Sequence, residues 1–332
     1  MKDIEPIIAS VKAEAATIDQ YMRKDLDALA PDIDGLLYRV LEYGLFNGGK
    51  RIRPLLVVLS ARLCGSNREN AYKLGCAFEY LHAATLFHDD IIDNSAIRRG
   101  KQSVYKKFGT VAAILAGDFL HAFAMEIVGK YCGSDGLKIF CNATRGMVDG
   151  EFMQLRNADK HNLSELDYHD AIMGKTGLLI AGACEVGAIY GGGDTKSISA
   201  LREYGVNLGC AFQIIDDLLD YQGDPGITGK AVGNDFFEGK MTLPLILTIN
   251  DAEEREKSRL LDLLKRRKTE KNSFKEVYGT ITRYRGFEKA KDKAVAAVDN
   301  AFDALSIFEK NDVLAERSVL EGLARYVLIR KK

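Results

Sequence analysis

The motif DDxxD occurs twice in this chain of 332 residues, and both copies are set in apolar sequence. The first, LFHDDIID, carries Asp89, Asp90 and Asp93; the second, IIDDLLD, carries Asp216, Asp217 and Asp220. If the first segment is helical, Asp89 and Asp93 are i and i+4 and share a face, with Asp90 beside them. Like charges that close repel unless a cation lies among them. One copy alone reads equally well as a solvated acidic helix end. Two copies with bulky apolar flanks point into a protein interior, where such flanks belong. Hard carboxylate oxygens suit Mg²⁺, which keeps water and binds phosphate oxygens. Two such clusters, on two long helices facing each other across a cavity, are predicted to clamp a metal–diphosphate group. Arg98 and Arg99 follow the first cluster and would supply guanidinium forks for phosphate.

The rest of the chain reads as helical. Only five prolines occur, at 6, 31, 54, 225 and 244, and alternating β-branched runs are scarce. Helices are expected over 4–30, 34–46, 54–64, 69–93, 111–131, 137–156, 165–190 and 196–221, with CGSDG at 132–136 and GGGD at 191–194 as breaks. Ser164 and Asp167 resemble a capping box. The charged stretch 245–332 reads as outer helices with solvated faces and without chemistry. The acid clusters are 127 positions apart, so both halves are needed; one domain, 1–332, is expected. A formal net charge of −1 gives no pull toward nucleic acid. Six cysteines, at 64, 76, 132, 141, 184 and 210, show no metal-ligand spacing. They read as thiols of a reducing compartment. No signal peptide and no apolar run of membrane-spanning length is apparent, so a cytoplasmic protein is expected.

Other residues suggest a site only by position. NGGKRIRP at 47–54 places Lys50, Arg51 and Arg53 after two glycines: an anion cradle, or a basic loop tip. His82 and Thr85 lie nearly on the Asp89 face, and Phe78 lies deeper. Lys175 and Thr176, between Gly174 and Gly177, lie in apolar sequence; the lysine either snorkels to water or meets an anion. The Gly-rich stretch 224–244, with Lys230, Asp235 and Lys240, reads as a lid over phosphate or as a connector. Asp149, Glu151 and Gln154 read as supporting groups.

The ordered set GGKRIRP, HDDIIDNSAIRRG, GDFL, GEFMQL, KTG, FQIIDDLLDY and GKAVGNDFFEGKMTLP resembles the trans-prenyltransferases, the head-to-tail polyprenyl diphosphate synthases, over nearly the full length. The resemblance implies an all-α isoprenoid-synthase bundle around a deep central cavity, and a homodimer. It implies Mg²⁺ held by Asp89, Asp90, Asp93, Asp216, Asp217 and Asp220 on an allylic diphosphate. Arg98, Lys175, Thr176, Gln213, Lys230 and Lys240 would contact that diphosphate. Lys50, Arg53, His82 and Arg99, with Arg51 near, would hold isopentenyl diphosphate. Lys101 and Gln102 stand where the family often has proline, and Gly177 where it often has alanine; neither change removes a charged ligand.

Product length is argued from the helix below Asp89. Ala84 and Thr85 lie about one turn down, where aromatic residues accompany short products in the family. The small pair points to a long-chain, octaprenyl-type synthase whose apolar product leaves through transient membrane contact. Phe78 would oppose this if it faced the tunnel, and Met147 is a further candidate for its floor. The rivals are a farnesyl or geranylgeranyl synthase, a terpene cyclase, a non-catalytic partner subunit and a metal phosphohydrolase. The last lacks a matching cluster among the five histidines.

Overall fold

The computed structural model describes residues 5–223, 232–267, 269, 272–309 and 313–330. Helices dominate: α1 (Glu5–Leu29), α2 (Gly35–Leu45), α3 (Ile52–Leu63), α4 (Asn70–Ile92), α5 (Val104–Phe108), α6 (Thr110–Lys160), α7 (Glu165–Ile172), α8 (Leu178–Tyr190) and α9 (Thr195–Gln222). Then follow α10 (Asn234–Glu238), α11 (Leu243–Asp251), α12 (Glu254–Arg266), α13 (Ser273–Arg283), α14 (Gly286–Leu305) and α15 (Leu314–Ile329). The strands among the described residues are two residues each, β1 (Ile97–Arg98) and β2 (Lys101–Gln102), paired antiparallel.

Local chemistry explains these boundaries. Pro6, Pro54 and Pro244 lie in first helical turns, where no N–H bond is lost, and Pro31 follows the end of α1. Asp34 caps α2 by accepting from Leu36 N at 2.7 Å. Ser164 caps α7 by accepting from Asp167 N at 3.1 Å. Asp167 does not complete the expected box: its carboxylate accepts from Asn162 instead, at 2.6 Å. Within α6 the expected break is present at Gly133, with φ +65°.

The described residues group into two compact units. One comprises those of Met1–Asn142, Gly182–Arg202 and Ile307–Gly322; the other those of Ala143–Ala181, Glu203–Ser306 and Leu323–Lys332. In the first, α3 is buried along most of its length and runs closely beside α4. Gly187 and Gly191 face it: a Cβ there would come within 2.4 and 2.5 Å of the carbonyls of Val57 and Ala61. In the second, α11 is buried from Leu243 to Ile249. This overturns the expectation of outer helices for that stretch. Its apolar run, LPLILTI, outweighs the charged residues that follow.

By length and composition, residues 110–160 and 165–191 could each cross a membrane, contrary to expectation. In the second, 72% of the apolar window is buried within the protein, as in a core helix. The first exposes Val111, Leu115 and Phe152.

In the second unit a π-helical turn, Met173–Gly177, follows α7. Gly174 and Gly150 let it approach α6: a Cβ on Gly174 would lie 2.8 Å from Gly146 O and 2.9 Å from Gly150 Cα. Backbone cannot yield as a side-chain tip can. Gly174→Ala is therefore expected to destabilise the protein by about 1–3 kcal/mol, read as a lowered Tm in thermal denaturation.

Candidate active site

In the first unit the two central residues of the hairpin, Arg99 and Gly100, have φ of +52° and +78°. Positive φ at both is what a two-residue I′ hairpin requires. The turn brings Arg98 back over α4, where its Nε and one terminal nitrogen donate to Asp90 Oδ1 at 2.9 and 2.6 Å. Asn47 donates to Arg98 O at 3.3 Å, and Arg99 donates to Gly48 O. Asp90 is buried, Asp89 half-buried and Asp93 exposed. Removing Arg98 would strand the buried charge of Asp90, at about 3–5 kcal/mol.

Arg51, expected near a substrate, is held by groups of the protein itself. It holds φ +51°, and its side chain is only 4% exposed. It donates to Asp19 at 2.8 Å, Glu79 at 2.7 Å and Leu45 O at 2.7 Å. The guanidinium is thus committed to tying the 47–54 loop to α1 and α4. Glu79, three residues before His82, answers that charge, and only the i,i+3 relation to His82 hinted at it. A crevice lined by Asn47, Arg51, Glu79, His82, Asp90, Arg98 and Arg99 lies here. Arg53 Nε is buried with no partner among the described residues. Burial, together with Arg53 and Arg99, holds the His82 imidazole well below its ordinary value, so it is neutral at pH 7. Lys50 is exposed.

Below these groups α4 carries Thr85, whose hydroxyl donates to His82 O at 2.9 Å, and Ala84, which is buried. Phe78 is fully buried and meets Phe140 edge to face, ring centroids 5.2 Å apart.

In the second unit a chain of hydrogen bonds runs to Asp217. Thr176 Oγ1 donates to Gln213 Oε1 at 3.1 Å, Gln213 Nε2 to Asp217 Oδ1 at 3.1 Å, and Tyr168 OH to Asp217 Oδ2 at 2.7 Å. Burial pushes the Asp217 carboxyl up to about 8, with Asp235 adding to the rise and the two hydrogen bonds opposing it. Tyr168 was not foreseen; an aromatic in YHDAIM carries no polar signature in sequence. Asp220 accepts from Asp235 N at 3.1 Å, and its carbonyl accepts from Gly233 N at 2.8 Å. The segment carrying Lys240 is thereby tied to the second acid motif. Lys240 pairs with Asp235 at 3.0 Å and Glu238 at 2.7 Å. An aromatic cluster of Tyr221, Phe236, Phe237 and Phe274 holds α10 from beneath. Lys175 meets Glu151 at 2.6 Å and Gln154 at 3.0 Å, so its anion in this structure is the protein's own. Asp216 is exposed, and Arg330 reaches it from beyond α15. Arg330 lies in the last stretch, where the sequence singled out no site residue. Met147 is half-buried, and Lys230 lies outside the described residues.

The polyprenyl synthetase family model matches residues 34–281. A geranylgeranyl diphosphate synthase of Saccharolobus solfataricus is 36% identical, over 89% of this chain and 92% of its own length. An octaprenyl diphosphate synthase of Haemophilus influenzae is 31% identical, over 94% and 93%. Among solved structures, a polyprenyl synthase from Caulobacter crescentus CB15, complexed with calcium and isoprenyl diphosphate, superposes with a TM-score of 0.87 at 35% identity. That match covers 99% of this chain and 98% of the other. Its all-α architecture agrees with the helices described above. The chain belongs to the polyprenyl synthetase family, and is a prenyltransferase of the prenyl diphosphate synthase kind.

Proposed function

We propose that the protein condenses isopentenyl diphosphate head to tail with an allylic diphosphate, with Mg²⁺ as the cofactor. The observation that carries this reading is the division of roles inside each acid motif. Asp90 and Asp217 are withdrawn from solvent by Arg98 and by Tyr168 with Gln213. Asp93 and Asp216 stay exposed and Asp89 half-buried. Of the six aspartates expected to bind metal, Asp89, Asp93 and Asp216 are thus the proposed ligands, and the others shape the motifs.

The donor set fits Mg²⁺. Its oxygens are hard, and no three His, Cys, Asp or Glu side chains among the described residues enclose an ion by themselves. An ion there would complete its shell with water and diphosphate oxygens, as Mg²⁺ commonly does. When bound, Mg²⁺ would offset the charge developing on the departing pyrophosphate. Arg98, Lys175, Thr176, Gln213, Lys230 and Lys240 are proposed to orient the allylic diphosphate. Lys50, Arg53, His82 and Arg99 are proposed to receive isopentenyl diphosphate, with Arg51 holding their loop in place. The unpartnered Arg53 Nε and the neutral His82 support that assignment. The allylic C–O bond breaks with its electron pair going to pyrophosphate. The isopentenyl double bond attacks the resulting cation, and the proton then lost goes to pyrophosphate. No protein nucleophile is required.

Asp89→Asn and Asp216→Asn are expected to lower kcat by about 10²–10³-fold, the scale for losing a transition-state charge partner, with unchanged circular dichroism. Asp90→Asn is expected to lower Tm as well. Incorporation of labelled isopentenyl diphosphate measures this. Wild-type rates in both outer variants would sink the reading.

The product is proposed to be long, in the octaprenyl range. Support comes from Ala84 and from the Thr85 hydroxyl folded back on His82 O, which leave no ring at that level. A geranylgeranyl product is the second reading, favoured by the Phe78–Phe140 pair. Phe78 lies eleven residues below Asp89, about 16 Å of helix. With farnesyl diphosphate as primer, long prenols from the wild type are expected, and Ala84→Phe should shorten them. A wild-type stop at geranylgeraniol, relieved in Phe78→Ala, would decide for the second reading.

A homodimer is also proposed. Val111, Ile114 and Leu115 in one unit, and Val148, Phe152 and Leu155 in the other, are exposed apolar residues at helical spacing. Light scattering should show twice the chain mass for the wild type and a shift to single mass in Leu115→Glu and Phe152→Glu; a monomeric wild type refutes it. The six cysteines, all free thiols, support a cytoplasmic location. Product release by transient membrane contact is proposed on the chemistry of the product alone.

A further inference from the structure

We infer that Arg330 is a positioning residue for Asp216, setting how strongly the second acid motif binds a divalent cation. The inference rests on the functional reading above and adds a residue to it.

Three observations carry it. Arg330 is buried, its side chain 4% exposed, while its partner Asp216 is 57% exposed. A guanidinium is seldom buried without partners, because losing its hydration is costly. Arg330 donates to Asp216 Oδ1 at 3.1 Å and to Phe212 O at 2.9 Å, and its Nε has no partner among the described residues. It also lies 3.9 Å over the Phe212 ring, a cation–π stack that fixes its plane. Phe212 and Asp216 are i and i+4 on α9, so one helical turn supplies ring, carbonyl and carboxylate together.

The contact engages one carboxylate oxygen and leaves Oδ2 for another ligand. An oxygen held in this way loses rotamer freedom before a cation arrives. Hydrogen-bonded partners of metal-ligating carboxylates typically matter by 10–100-fold in metal affinity. A bare competitor for the carboxylate would act in the opposite direction: removing it would strengthen cation binding. The two roles therefore separate by sign.

The test uses the full chain with Mn²⁺ as a spectroscopically visible probe and inorganic pyrophosphate as the anion, read by electron paramagnetic resonance and by calorimetry. Arg330→Gln is expected to weaken Mn²⁺ binding 10–100-fold. Phe212→Leu, which keeps the carbonyl and the carboxylate, should weaken it severalfold in the same direction. Unchanged or tighter binding in Arg330→Gln overturns the inference. Should that variant fail to fold, Phe212→Leu decides alone, and unchanged binding there overturns it. A wild-type protein that binds no Mn²⁺ with pyrophosphate would overturn the functional reading and, with it, this inference.

Discussion

A carboxyl group withdrawn from water must be met by a cation, by several donors or by a proton, and the architecture around Asp90 and Asp217 follows from that requirement. Asp90 is met by Arg98, and Arg98 can reach it only because the short hairpin turns the chain back at Arg99–Gly100. Asp217 is met by Tyr168 and Gln213, and Gln213 is engaged in turn by Thr176 on the π-helical turn. Each motif therefore has a buried middle member that anchors it, flanked by the half-buried Asp89 and Asp220 and the exposed Asp93 and Asp216. A run of three acids would otherwise be an unstable helix face. Here one member of each run is neutralised or hydrogen-bonded by its own neighbours.

The same reasoning orders the cations. Arg51, Arg53, Arg98 and Arg99 crowd into one part of the first unit; burial first, and then the neighbouring arginines, lower the proton affinity of Arg53 and Arg99, against the pull of Glu79. Glu79 and Asp19 offset the charge of Arg51, which is how a non-glycine residue tolerates a left-handed backbone costing about 1–2 kcal/mol. The 47–54 loop thus keeps one arginine, Arg51, for its own support. In the second unit, Asp235 and Glu238 hold Lys240, and the aromatic cluster beneath α10 holds the segment that carries them.

Much of this was legible before the fold. Helix positions, the break near Gly133 and the capping role of Ser164 follow from local rules acting over a few residues. The stretch after residue 245 was misread because its charged segments dominate composition, while the seven-residue core of α11 is short and lacks periodicity. Burial within the acid motifs was not legible: spacing treats three aspartates alike, and only their neighbours distinguish the buried Asp90 and Asp217 from the rest.

The helical class, the two acid motifs, the basic sets at 50–53 and 98–99, and the family all follow from residue order alone. These depend on residue type and on spacings of one to four positions, which helix geometry converts directly into shared faces. Packing between distant elements sets which aspartate in each motif is sequestered, braces the 47–54 loop through Arg51, and brings Arg330 to Asp216 from 114 positions away. Those outcomes depend on desolvation and on partners brought together by packing, and neither is encoded in local spacing.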